Sequence, residues 1–154
     1  MAETIRVLVS EADVDKRIEE LGRKISEDYA GKQVHLICVL KGGVFFMCEL
    51  AKRITVPVSM DFMCVTIEGK DVLIVEDIID SGRTLSYLIE VLKKRNPNSI
   101  RLCTLLDKPD RRVCDVKVDY MGFDIPDHFV VGYGLDYAQK YRNLPYIGVV
   151  EGVE

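Results

Sequence analysis

In the segment VLIVEDIIDSGRTL, residues 72–85, an apolar run leads into two adjacent carboxylates and then into a small-residue loop that opens a helical pattern. Glu76 and Asp77 are suited to accept hydrogen bonds from the vicinal hydroxyls of a ribose, or to hold a hard cation such as Mg²⁺ through its waters. Asp80 is placed to act as a base or an electrostatic stabiliser. Ser81 and Thr84 add hydroxyl donors for a phosphate oxygen, and Gly82 lets the backbone approach without a Cβ clash. The run 72–75 reads as a strand buried on both faces, the signature of a parallel sheet covered by helices. Open α/β sheets bind ligands outside the carboxyl ends of their strands. The pattern Leu85, Leu88, Ile89, Leu92 is helical, and backbone N–H groups ahead of such a helix suit a phosphate. The same residue types also fit an ordinary strand running into a capped helix, since Asp and Ser are favoured at helix starts.

The elements that must position these groups alternate along the chain. Ser10 caps a helix whose stripe is Val14, Ile18, Leu21, Ile25 and Tyr29, and Gly31 stops it. Strands are predicted over 35–40, 56–65, 72–77, 100–106, 116–123 and 129–132, with a helix over 44–54. Alternating buried strands and helices give the fold class: α/β, with a mostly parallel central sheet flanked by helices. The less regular chain after Asp124 is expected to form a small hood over the strand ends. With 154 residues and 48% hydrophobic content, this is one domain with a real core. A net charge of −4 argues against a nucleic-acid surface. No run approaches the ~20 apolar residues of a membrane span, and the N-terminal stretch lacks the order of a signal peptide, so a cytoplasmic protein is expected. The five cysteines are odd in number and show no CxxC spacing, so they read as buried free thiols.

Three further clusters bear chemistry. Lys41-Gly42-Gly43 follows a buried strand and offers a cation with two permissive backbone positions, although such turns are common in purely structural roles. Lys108 stands just past another buried strand, where it is able to donate to a carbonyl or simply to face solvent. The stretch 129–142 supplies an aromatic, backbone acceptors, a carboxylate and a cation through Phe129, Val130, Asp136 and Arg142. His128 reads as solvent-exposed, and Arg111 and Arg112 as either orienting the site or exposed.

The string VEDIIDSGRTL resembles the phosphoribosyl pyrophosphate motif of the type I phosphoribosyltransferases. The resemblance extends through VLKGGVFFM (39–47), PVSMDFM (57–63), CTLLDKPDRR (103–112) and residues 118–150, and points to the bacterial hypoxanthine (hypoxanthine-guanine) branch. It implies transfer of a phosphoribosyl group to a 6-oxopurine, with Mg²⁺. Phosphoribosyl pyrophosphate would be bound by Glu76, Asp77, Ile79, Asp80, Ser81, Gly82, Arg83 and Thr84, with Asp80 near purine N7 as the catalytic group. Lys41, Gly42 and Arg142 would hold pyrophosphate, with the Leu40–Lys41 peptide cis. Lys108, Phe129, Val130 and Asp136 would meet the purine, and Glu76, Asp77 and Asp136 the metal. The resemblance also implies a homodimer or homotetramer whose partners are otherwise small molecules, with no nucleic acid and no membrane. Two other readings stand beside it: a xanthine-preferring transferase, and a nucleotide-sensing RNA-binding regulator of the same fold.

One departure stands out. Between Thr66 and Ile67 the family carries a long flexible loop with a Ser-Tyr pair, and this sequence has none there. Ser86-Tyr87 lies within the helix after the phosphate loop and is no replacement. If strands 56–65 and 72–77 share one parallel sheet, the chain must return about a strand length, ~20 Å. Residues 67–71 span at most ~18 Å when extended. The expectation is therefore a mobile loop belonging between 66 and 67, the alternative being a true deletion with changed strand pairing.

Overall fold

The computed structural model describes residues 3–62 and 66–152. A five-stranded parallel sheet in the order β3-β2-β4-β5-β6 is formed by β2 (Val34–Cys38), β3 (Val58–Asp61), β4 (Asp71–Ile79), β5 (Ser99–Asp107) and β6 (Tyr120–Asp124). Helices α1 (Glu11–Asp28), α2 (Val44–Ala51) and α3 (Arg83–Lys93) cover it. Alternation along β4 divides the core. Leu73 and Val75 pack with residues of α1 and α2, whereas Val72 and Ile74 pack with Leu85 and Leu92 of α3. Complete burial of such side chains stabilises the fold by about 1.5–3 kcal/mol each. This double burial fixes the register of β4 and hence where its polar end emerges.

Local signals set the helices. Ser10 accepts a hydrogen bond from Asp13 N at 3.2 Å, and Glu11 and Asp13 place negative charge at the N-terminus of α1. Gly22 is required for close packing, since a Cβ there would meet Arg53 Cβ at 2.7 Å. The expected helix 44–54 ends at Ala51, where Arg53 N turns back to Leu50 O.

The parallel sheet was foreseen; a second, antiparallel sheet was not. It pairs β1 (Thr4–Val9) and β7 (Val130–Val131) with β8 (Ile147–Glu151), and joins the two ends of the described chain. The strand expected over 116–123 begins only at Tyr120, because Val116 and Val118 pack against the α3-side cluster without pairing. Cys38 and Cys103 are buried as expected, but Cys48 is exposed and Cys114 half-buried, since they lie outside the apolar stripes. The Cys64 thiol and the end of the strand expected over 56–65 lie outside the described residues.

The connection from β3 to β4 differs from expectation in a way that removes its geometric difficulty. β3 ends at Asp61, and β4 lies on the far side of β2 from it. The link must drop back ~10 Å and cross two strand spacings, ~10 Å. Residues 62–70, extended, reach ~30 Å. Its closing part is anchored: Ile67 is buried, Lys70 N donates to Ile67 O at 3.0 Å, and Gly69 N donates to Asn96 O at 3.0 Å.

Candidate functional site

The polar end of β4 opens the site. After the buried run Val72–Val75, Glu76 and Asp77 are half-buried at the carboxyl edge, and burial pushes both carboxyls up. Glu76 reaches about 8, with the Asp77 charge as the second cause. For Asp77, N–H donors from Ile78 and from its own backbone, and then the Arg142 charge, oppose the effect of burial. Its Oδ1 accepts from Ile78 N at 2.7 Å. Its Oδ2 lies 1.8 Å from where a Cβ on Gly42 would stand, so only a glycine at 42 leaves this carboxylate its place.

The loop after β4 is shaped for an anion. Gly82 has φ of 83°, a left-handed conformation that glycine adopts at little cost, and it caps α3. The first turn of α3 carries no acidic residue, so although Arg83 N donates to Ser81 Oγ at 3.4 Å, its dipole is not offset by a carboxylate from within. Ser81 O accepts from Val113 N at 3.0 Å and from Cys114 N at 3.3 Å, which ties the loop to the chain beyond β5. A cleft of about 290 Å³ brings together Gly42, Glu76, Asp77, Asp80, Ser81 and Thr84, with Ile79 and Gly82 also in its wall. Arg83 is exposed beside it, as is Lys41, which follows a cis Leu40–Lys41 peptide.

A hood, residues 125–146, stands next to this cleft and contributes no residue to its lining. It packs closely against the cleft wall at Gly134, where a Cβ would meet Gly42 O at 2.1 Å. Arg142 Nη1 donates to Gly134 O at 2.6 Å, and its Nη2 lies 3.1 Å from Asp136 Oδ1. Asp136 and Arg142 are thereby brought near Asp77, and both charges act on it. Among the described residues no three His, Cys, Asp or Glu side chains converge into a ready metal cage. Glu76 and Asp77 instead offer hard oxygen donors of the kind Mg²⁺ uses when waters and substrate phosphates complete its shell.

On the other side of Asp80, Lys108 is 8% exposed, far from a solvated lysine, and its N donates to Ile79 O at 3.0 Å. Phe129 is 50% exposed and meets Tyr137 edge-on, with ring centroids 5.5 Å apart, whereas Val130 is buried in β7. Phe129 therefore keeps part of its ring surface open to solvent. His128 is half-buried, not exposed: its N donates to Pro126 O at 2.7 Å, which turns the chain inward. Residues that sequence reasoning left open or passed over also enter. Arg112 ion-pairs with the buried Asp107, Arg111 Nε donates to Asp80 Oδ1 at 2.7 Å, and Asp127 lies between Lys108 and Arg111. The paired arginines of DRR were the one available signal; Asp127 had none, because its contacts are distant in sequence.

The phosphoribosyl transferase domain model matches residues 10–65 and 63–138. The hypoxanthine phosphoribosyltransferase of Salmonella typhimurium is 48% identical over 173 residues, covering 97% of each chain. The crystal structure of a hypoxanthine-guanine phosphoribosyltransferase from Bacillus anthracis superposes with a TM-score of 0.94 at 41% identity, covering 97% of this chain and 99% of that one. The Trypanosoma cruzi hypoxanthine phosphoribosyltransferase in complex with its product IMP superposes with a TM-score of 0.90 at 40% identity, covering 94% and 89%.

Proposed function

This chain belongs to the phosphoribosyl transferase family, and we propose that it transfers the 5-phosphoribosyl group of phosphoribosyl pyrophosphate to hypoxanthine or guanine. The products are IMP or GMP and pyrophosphate, a reaction of purine salvage. The observation that carries this reading is the single cleft in which two half-buried carboxylates, Asp80 and a helix-capping phosphate loop meet Gly42 at one strand edge.

The roles follow from chemistry at each position. Residues 81–84 bind the 5′-phosphate through backbone N–H groups and hydroxyls. Glu76 and Asp77 take the ribose hydroxyls, and with Asp136 they would hold Mg²⁺, which supplies charge neutralisation for the leaving pyrophosphate. Hydroxyl donors or a cation at Glu76 offset the burial that pushes its carboxyl up. Lys41, Gly42 and Arg142 bind pyrophosphate, the arginine through a planar fork that suits phosphate oxygens. Lys108 donates to the purine O6, Phe129 stacks on the ring and Val130 offers its backbone. Positive charge develops on the ribose as pyrophosphate leaves, so positioning and electrostatics dominate over covalent chemistry. Asp80 accepts the proton released from the purine at N7. Association into a homodimer or homotetramer and a place in the cytoplasm belong to the same reading.

The working protein, in this reading, also carries a mobile loop between Thr66 and Ile67. Two observations support it: the family match splits into 10–65 and 63–138, and the alignment with the Salmonella enzyme runs over 173 residues against 154 here. The loop would exclude water from the reacting centre. The intact mass of the protein purified from its native source tests this, with a value above 17.5 kDa expected and 17.5 kDa indicating a true deletion. The activity itself is tested by chromatography of the nucleotide formed from phosphoribosyl pyrophosphate and Mg²⁺. IMP or GMP is expected, and XMP as the dominant product from mixed bases would transfer the assignment to xanthine.

A further inference from the structure

Four charged side chains alternate in sign across the purine side of the site. Lys108 Nζ lies 3.4 Å from Asp127 Oδ1, Asp127 Oδ2 lies 3.3 Å from Arg111 Nη1, and Arg111 Nε donates to Asp80 Oδ1 at 2.7 Å. The end members of this chain are the two groups assigned to the base: the lysine that reads O6 and the aspartate that takes the N7 proton. Arg111 and Asp127, the two in the middle, have no role of their own in the reaction as described above.

The backbone brings them there. After β5 the chain makes a single 3₁₀ turn, Pro109–Arg111, with Arg111 N donating to Lys108 O at 3.1 Å. It then returns to the phosphate loop, where Val113 N meets Ser81 O. Consecutive arginines therefore grip the same residue: Arg111 holds the carboxylate of Asp80, and Arg112 Nε reaches its backbone oxygen at 3.4 Å. Arg111 and Asp80 are 51% and 48% exposed, and ion pairs this open add little to fold stability. Their consequence is geometric. An exposed aspartate without a partner samples several rotamers, whereas one tethered through Oδ1 keeps Oδ2 as an acceptor in a narrow range of positions.

We propose that Arg111 and Asp127 are positioning residues for the transfer, holding the Asp80 carboxylate and the Lys108 ammonium at a set spacing so that a 6-oxopurine meets acceptor and donor together. This rests on the roles of Asp80 and Lys108 given above. Arg111 makes the shorter contact and acts on the chemical step. Asp127 makes the longer ones and acts on capture of the base.

The test is steady-state kinetics of Arg111→Gln, Arg111→Lys and Asp127→Asn, each also placed in an Asp80→Asn background. Arg111→Gln is expected to lower kcat about tenfold, in line with coupling between residues in contact. Its KM for phosphoribosyl pyrophosphate and its melting temperature should match the wild type, and lysine should recover part of the loss. Asp127→Asn is expected to raise KM for the purine more than it lowers kcat. In the Asp80→Asn background Arg111→Gln should cost nothing further. An equal loss in both backgrounds, or wild-type kcat in Arg111→Gln beside a damaged Asp80→Asn, would overturn this proposal alone. Wild-type kcat in Asp80→Asn itself would overturn the assignment of Asp80 and this proposal with it.

Discussion

The strand-edge end of the site, residues 76–84, hangs on the middle strand of the five-stranded sheet, whereas the hood, residues 125–146, is held mostly outside regular structure. β4 is hydrogen-bonded to β2 on one side and β5 on the other, and both of its faces are covered. The hood has only β7 in a sheet. Tyr133, Ala138, Gln139 and Tyr141 take left-handed φ, and two isolated bridges, Gly132 with Leu135 and Tyr137 with Lys140, fix its turns. The loop proposed to bind phosphate follows a strand covered on both faces, which holds its backbone in place without a ligand. The outer part of the hood, residues 135–146, has no buried residue and is closed by hydrogen bonds in turns, so it opens locally at lower cost. Under the proposed function, reaction geometry falls to the strand edge, and the hood adds Phe129, Val130 and Arg142 to the capture of base and pyrophosphate.

Substitutions at the two ends should therefore fail in different ways. The largest loss is expected from Asp80→Asn: kcat should drop by about 10²–10⁴-fold, the range for a lost general base, while KM for phosphoribosyl pyrophosphate changes little. A kcat near that of the wild type would break the assignment of chemistry to the strand edge. Next is Gly42→Ala, where the new Cβ would sit 1.8 Å from Asp77 Oδ2 and force that carboxylate aside. Because small misplacements at a reacting centre are costly, kcat/KM should fall about a hundredfold. Unaltered kinetics would show that Asp77 does not need its present place.

Arg142→Gln probes the hood. It removes the donor to Gly134 O and the partner of Asp136, and should raise KM for phosphoribosyl pyrophosphate about tenfold, as for loss of a charged hydrogen bond. A fall in kcat with KM intact would erase the distinction between the two ends. A separate effect is one of pH on stability. Glu76 titrates at about 8 in the folded chain against an ordinary 4.5, so the folded state holds a proton that the unfolded state releases. That contribution is complete below about 4.5, declines as pH rises, and is lost above about 8. With divalent cations chelated, the melting temperature of the wild type should decline between pH 5 and 8 relative to Glu76→Gln. Parallel profiles would contradict the burial of this carboxyl.

The same contrast explains what was legible in the sequence. β4 and α3 could be read because a fully apolar run, a Ser-Gly turn and a helical stripe all lie within residues 72–92. β1 and β8 could not, because Thr4 pairs with Glu151 and Val7, which is 52% exposed, breaks any clean alternation. The strand predicted over 56–65 starts later, at Val58, and leaves the sheet after Asp61, because residue type alone does not mark either point; its end beyond Phe62 lies outside the described residues. The polar residues and glycines of the cleft were found from local spacing and the motif, its apolar wall of Val39, Leu40, Ile78 and Leu88 was not, and the cis Leu40–Lys41 peptide came through the resemblance. Asp127 was missed because its partners Lys108 and Arg111 reach it only through the fold.

Pyrophosphate release from phosphoribosyl pyrophosphate and Mg²⁺, with hypoxanthine, guanine, xanthine and adenine offered separately, tests the central claim most directly. Release that depends on hypoxanthine or guanine, with adenine inert, is the predicted result. Release independent of the base, or supported equally by adenine, would contradict a site in which Lys108 reads O6 and Asp80 takes the N7 proton.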